Sequence, residues 1–278
     1  MKLVNNKPFN ETLIQNEMSY INDGETVVNV LREKYPNDYT FKSYLVAFVV
    51  VVGHFPALRD SYLKITKLAK QLNKEILDTR NENTTEHPEK IIDLSNRQVL
   101  LDNIAKLPNI TNKLVYAINV LIPTRRLENR LLRITDETNL DNLMDTDNYL
   151  VVKGPWKLVY NEYKTAAEFG QYTVDVPDDF KFFLQMYITA KKLKVGDYLF
   201  SLMRDKRELI SQGNFSCKIS NVFKKIYGVN ISNKYLRYSA STTAERSNMS
   251  NKQRTKLAHD MGHSLTQHLL YSKHMSQN

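Results

Sequence analysis

Late in the chain a Gly262-His263-Ser264 step stands eight positions before Tyr271, and Arg237 lies upstream in Lys234-Tyr235-Leu236-Arg237. Histidine, tyrosine and arginine in one stretch suggest chemistry on a phosphodiester. The planar fork of arginine holds phosphate oxygens, a tyrosine oxygen attacks phosphorus, and an imidazole shares a hydrogen bond or a proton with the phosphate. His259 and His263 are spaced i, i+4, but the glutamate of a His-Glu-x-x-His motif is missing, so a metal site is not expected there.

Two more cations are candidates for the same site. Arg125 follows Pro123-Thr124 and precedes Arg126, with Glu128 three and Leu132 seven positions on. A helix starting there would set the acid beside the arginine and turn the leucine inward. Lys164, in Tyr163-Lys164-Thr165, sits where a β-rich segment meets a turn, so it can project from a hairpin tip.

The elements that must carry these residues are mostly helical. Over 10–101 apolar residues recur at three- and four-residue steps, as in Leu13, Ile14, Met18 and Ile21 and again in Leu63, Ile65, Leu68, Leu72 and Ile76. The apolar run over 44–52 reads as a core helix in preference to a buried strand. Pro36 and Pro56 mark turns, and the polar stretch over 81–88 reads as an exposed loop. A helix over 114–122 breaks at Pro123. The pattern then alternates over 149–152, 156–160 and 172–176, which predicts a small antiparallel sheet. Helices are expected over 180–190, 197–204, 216–227 and 233–243, with a last run over 251–271. The fold class is therefore mainly α with a small antiparallel β-sheet: a helical N-terminal domain over 1–105, then an α+β domain over 106–278.

The 278-residue chain carries a formal net charge of +9, with 42% hydrophobic residues. Its charge is uneven: residues 181–278 hold 17 Lys/Arg against 5 Asp/Glu, and the first 180 hold 22 against 25. A basic block confined to one end favours a polyanionic partner. The single cysteine, Cys217, excludes an internal disulfide and a cysteine-based zinc site, which fits a reducing compartment. No apolar run is long enough to span a bilayer. A soluble intracellular protein with no membrane partner is expected.

In order, Arg125, Lys164, Lys234-x-x-Arg237, Gly262-His263-Ser264 and Tyr271 resemble the catalytic domain of the tyrosine recombinases, the phage-integrase superfamily of DNA breaking-rejoining enzymes. The likeness is closest to integrase-like proteins of large DNA viruses and Crypton-type mobile elements, in the Pro-x-Arg-Arg context and the Tyr-Lys-Thr hairpin. It covers about 110–275, and the first hundred residues are similar to a core-binding domain only in kind.

The resemblance implies a site-specific recombinase acting on double-stranded DNA through a 3′-phosphotyrosine. Tyr271 would be the nucleophile, Arg125 and Arg237 the phosphate clamps, and Lys164 the general acid to the 5′ oxygen, with His263 assisting at the phosphate. It implies self-association as a dimer or tetramer on DNA and neither cofactor nor metal. Two points stay open. Either Arg125 or Arg126 is the first catalytic arginine, and Lys234 stands where recombinases usually have histidine. Lys-x-x-Arg resembles type IB topoisomerases, the alternative reading; a catalytically inactive DNA-binding protein of the same fold is a third.

Overall fold

The computed structural model describes residues 23–81, 87–202 and 205–272. The pattern of Leu13, Ile14, Met18 and Ile21, most of the loop expected over 81–88 and the last tail residues lie outside them. The chain divides into two compact units, Met1–Glu82 and Asn83–Asn278.

The first unit contains α1 (Gly24–Lys34), α2 (Asp38–Val52) and α3 (Arg59–Asn81). Asp23 and Asn37 accept hydrogen bonds from first-turn amides of α1 and α2, satisfying donors that a helix start leaves open. The helices pack around Val27, Phe41, Leu45, Ile65, Leu72 and Ile76. The run over 44–52 is helical as expected, yet it buries one stripe only: Leu45 and Val52 are buried, whereas Val46 and Val50 are exposed.

The second unit begins with α4 (Arg97–Lys106) and α5 (Ile110–Val120). Leu100 and Ile104 of α4 join its main core, so the division at residue 82 falls upstream of the boundary expected near 105. Helix α5 is its most enclosed helix, with every residue from Leu114 to Ile118 at 0% exposure. It packs against α4, α7 (Asp178–Lys191) and α8 (Gln212–Tyr227).

Between α5 and α7 lies a sheet of β1 (Leu132–Thr135), β2 (Asn148–Val151), β3 (Lys157–Tyr160) and β4 (Tyr172–Asp175), in that order. The strands expected from sequence, β2 to β4, pair antiparallel, and β1 adds a parallel edge. Side chains alternate across the sheet. Leu132, Ile134, Leu150, Leu158 and Tyr160 enter the main core, while Tyr149, Val151 and Val159 pack on the other face beside Leu140 and Leu143. The short helix α6 (Ala166–Phe169) joins β3 to β4, and α9 (Asn233–Arg246), α10 (Asn251–Asp260) and α11 (Leu265–Leu269) end the described chain.

Three local expectations change. Residues 125–132 do not start a helix: Arg125 lies in no regular element, a 3-10 turn spans Glu128–Leu131, and Leu132 opens β1. Of the helix expected over 197–204, the described residues 197–202 form an irregular segment whose backbone pairs elsewhere, with Ile134 donating to Asp197 and Leu199 to Leu132. Leu199 and Phe200 are adjacent and both buried there, an arrangement that one helix face does not require. The last run is two helices, because Gly262 takes a φ of +72° and Ser264 caps α11 by accepting from the Gln267 amide.

Candidate active site

A cavity of about 640 Å³ opens in the second unit, and Arg126, Lys164, Lys234, Arg237 and Tyr271 stand on its wall. Four of the residues selected from sequence therefore meet: Lys234 and Arg237 from the first turns of α9, Lys164 from the connection after β3, and Tyr271 from just beyond α11. The wall is not purely cationic, since Glu128 and Glu162 also reach it. Arg125 and His263 do not line the cavity; both are buried behind it, at 1% and 4% exposure.

Arg237 links the cavity to this buried layer. Its Nη1 donates to the Tyr271 hydroxyl at 3.2 Å, and its guanidinium carbon lies 4.6 Å from the centre of the Tyr271 ring. Its Nη2 lies 2.7 Å from His263 Nδ1. Burial, then the Arg237 and His268 charges, push the His263 pKa down to about 3. His263 is thus neutral near pH 7, with Nδ1 already occupied by Arg237.

Arg125 and Arg126, adjacent in sequence, have different surroundings. The Arg125 guanidinium carbon lies 4.2, 4.7 and 5.6 Å from the ring centres of Tyr160, Tyr163 and Tyr172. Its Nη1 donates to the Asp260 carbonyl at 2.9 Å, while Nε and Nη2 are buried with no hydrogen-bond partner among the described residues. An aromatic cage favours the charge through the ring quadrupoles. It takes the place of the helical turn that the sequence pattern suggested as a brace. Gly262 closes the cage: a Cβ there would lie 3.0 Å from Arg125 Nη2.

The connection carrying Lys164 is held by two contacts with no sequence signature. Asn148, fully buried at the start of β2, accepts the Asn161 and Glu162 amides at 2.8 Å each and donates to the Glu162 carbonyl at 2.9 Å. Thr165 Oγ1 then donates to the Gly262 carbonyl at 3.1 Å. Lys164, between these anchors, is exposed and on the wall. Asn233 does similar work for the arginines, donating from Nδ2 to the Arg125 carbonyl at 2.9 Å. Lys234 Nζ sits 5.3 Å from the centre of the Tyr238 ring.

Sequence reasoning missed Asn148, Asn233 and His268. Their signal is polarity at a buried position, which becomes visible only once the packing is known. His259 lies edge-on to the rings of Phe169 and Tyr172, and His263 faces Arg237. Among the described residues no group of three or more His, Cys, Asp or Glu is placed to hold a metal ion, and no helix is long and apolar enough to cross a membrane.

No protein-family model matches the sequence, and no curated protein matches it. Among solved structures, a crystal structure of XerA recombinase is similar over 96% of this chain and 85% of that one, at 12% sequence identity and a TM-score of 0.44.

Proposed function

We propose that the second unit breaks and rejoins DNA strands, with Tyr271 as the nucleophile, in the manner of a site-specific recombinase or integrase. One observation carries the reading: the Tyr271 hydroxyl lies 3.2 Å from Arg237 Nη1, on a cavity wall that also holds Arg126, Lys164 and Lys234. Five cations, Arg130 among them, on the wall that carries the phenol suit a phosphodiester, whose negative charge must be held while a fifth oxygen approaches phosphorus.

In this reading the non-bridging oxygens lie between Arg237 and Arg126. Arg126, half-buried but on the wall, replaces the caged Arg125 as the first clamp. The first turn of α9, which supplies Asn233, Lys234 and Arg237 to the wall, adds the positive end of a helix to the same place. Tyr271 Oη bonds to phosphorus as its proton passes to water. The bond from phosphorus to the 5′ oxygen breaks, and Lys164 gives that oxygen a proton. The 3′-phosphotyrosine keeps the energy of the broken linkage, so rejoining by a 5′-hydroxyl reverses each step without ATP. Double-stranded DNA is the partner, with self-association on it as a dimer or tetramer, and the helical N-terminal region binds the same DNA.

The test is covalent capture on a library of nicked duplexes, followed by sequencing of the attached DNA. Wild-type protein forms an adduct and Tyr271→Phe forms none while still binding DNA. An adduct that persists in Tyr271→Phe removes Tyr271 from the role. A second reading, a type IB topoisomerase, is favoured by Lys234 standing on the wall where recombinases usually place histidine. Relaxation of supercoiled plasmid by the monomer, without recombinant products, would select it. DNA binding with no adduct on any duplex would instead mean a silent member of the fold.

A further inference from the structure

We propose that His268 is a positioning residue, the inner end of a hydrogen-bonded file that fixes the tautomer of His263 and, through it, the angle at which Arg237 meets Tyr271. The proposal rests on the reading of Arg237 and Tyr271 given above.

The file runs inward from the cavity. Arginine has donors only, so the 2.7 Å contact from Arg237 Nη2 makes His263 Nδ1 an acceptor. Neutral His263 then carries its proton on Nε2. That nitrogen lies 3.4 Å from His268 Nδ1, which must in turn accept. Ser241 Oγ lies 3.1 Å from the same Nδ1, whose one lone pair the hydroxyl and the His263 N–H then share. The proton of His268 is thereby assigned to Nε2, which is buried and has no hydrogen-bond partner among the described residues.

Each orientation in the file follows from the one before it, and the first is dictated by the arginine. The two imidazoles lie nearly parallel, 20° apart with centres 5.6 Å apart, and both are almost wholly buried. The charges bearing on them are Arg237 and Arg126 towards the cavity and Arg254 from α10. All three are positive and favour neutral rings. The Met261 backbone alone favours a protonated His263.

A buried N–H left without a partner is unfavourable. The chain bears that cost at His268 Nε2, which a leucine there would avoid. What the imidazole supplies and leucine does not is a side-chain acceptor for His263, beside the Met261 backbone. Ser241, on the second turn of α9 beyond Arg237, ties the inner end of the file to the helix that carries the arginine.

The test uses the full chain with 15N-labelled histidine, first without DNA. Assigned ring-nitrogen shifts should show His263 protonated on Nε2 only, from pH 7.5 to pH 5. In His268→Asn the amide oxygen can replace Nδ1 as acceptor, so the His263 shifts and the rate of adduct formation should stay within about 3-fold of wild type. His268→Leu should mix the His263 tautomers and slow adduct formation by about 10- to 100-fold, the usual effect of removing an orienting partner, with DNA binding unchanged.

His263 protonated on Nδ1, or shifts and rates that are the same in the leucine and asparagine variants, would overturn the proposal. If His268→Leu does not fold, the wild-type tautomer and the asparagine variant still decide. If no adduct forms with any variant while His263 has the expected tautomer, the recombinase reading fails and the file stands.

Discussion

Arg237 touches Tyr271 in two ways, through a 3.2 Å hydrogen bond to the hydroxyl and by lying 4.6 Å over the ring. The same guanidinium that would hold a phosphate therefore already holds the oxygen that would attack it. Phosphate entry would replace a neutral acceptor by a charged one, which is the stronger partner, and would release Tyr271 towards phosphorus.

From this, Arg237→Lys should lower the rate of adduct formation by about 100- to 1,000-fold, the loss seen when one preorganised donor leaves a developing oxyanion. A lysine has one nitrogen and cannot reach Tyr271 and His263 together. The rate measured by gel on a nicked duplex, beside the binding constant, checks it: binding should weaken far less than the rate.

The two neighbouring arginines should fail differently. Arg126→Ala should cost adduct rate and little stability. Arg125→Ala should cost about 2–4 kcal/mol of unfolding free energy, from the lost cage contacts and the Asp260 carbonyl bond. Urea denaturation of both variants separates the outcomes, and equal stabilities would mean that the cage does not hold the fold.

Gly262→Ala meets two penalties, a φ of +72° and a Cβ 3.0 Å from Arg125 Nη2. Gly154, with a φ of +67° and nothing within 4 Å of a Cβ, meets only the first. Gly154→Ala should cost about 1–2 kcal/mol, and Gly262→Ala should cost more and also slow adduct formation. Denaturation and rate measurements on the pair isolate the contact with Arg125.

Stability should fall on acidification. Burial pushes His263 down to about 3 and His268 to about 4, from an ordinary value of 6.5. The histidine contribution is whole above pH 6.5. It is lost as pH falls from there towards the folded values, because in that window only the unfolded chain binds the protons. By pH 5 each histidine should remove about 2 kcal/mol. His268→Asn should reduce the slope of unfolding free energy against pH by about one proton, and an unchanged slope would contradict the burial of this ring.

The sequence announced the residues of the cavity better than their supports. Lys164 and Lys234-x-x-Arg237 were legible because each belongs to a short element whose local pattern is its actual structure. Arg125 was not, since its neighbours are three tyrosines and the Asp260 carbonyl, contributed by segments far along the chain, and local spacing cannot encode them. Strand β1 was hidden for a related reason: four residues are too few to show a period, and Leu131-Leu132 continues a plausible helix from Glu128. Gly262 did carry a signal, as a glycine ends many helices, but the apolar steps on either side run through it. Asp197–Leu202 has helix-compatible composition and becomes irregular through backbone bonds to β1.

The bond from Thr165 to the Gly262 carbonyl joins the segment after Lys164 to the turn before Tyr271. The two groups that would trade protons and bonds across one phosphate are thus fastened at a single knot. A shift of the turn at Gly262 would therefore reach the segment of the lysine as well as that of the tyrosine.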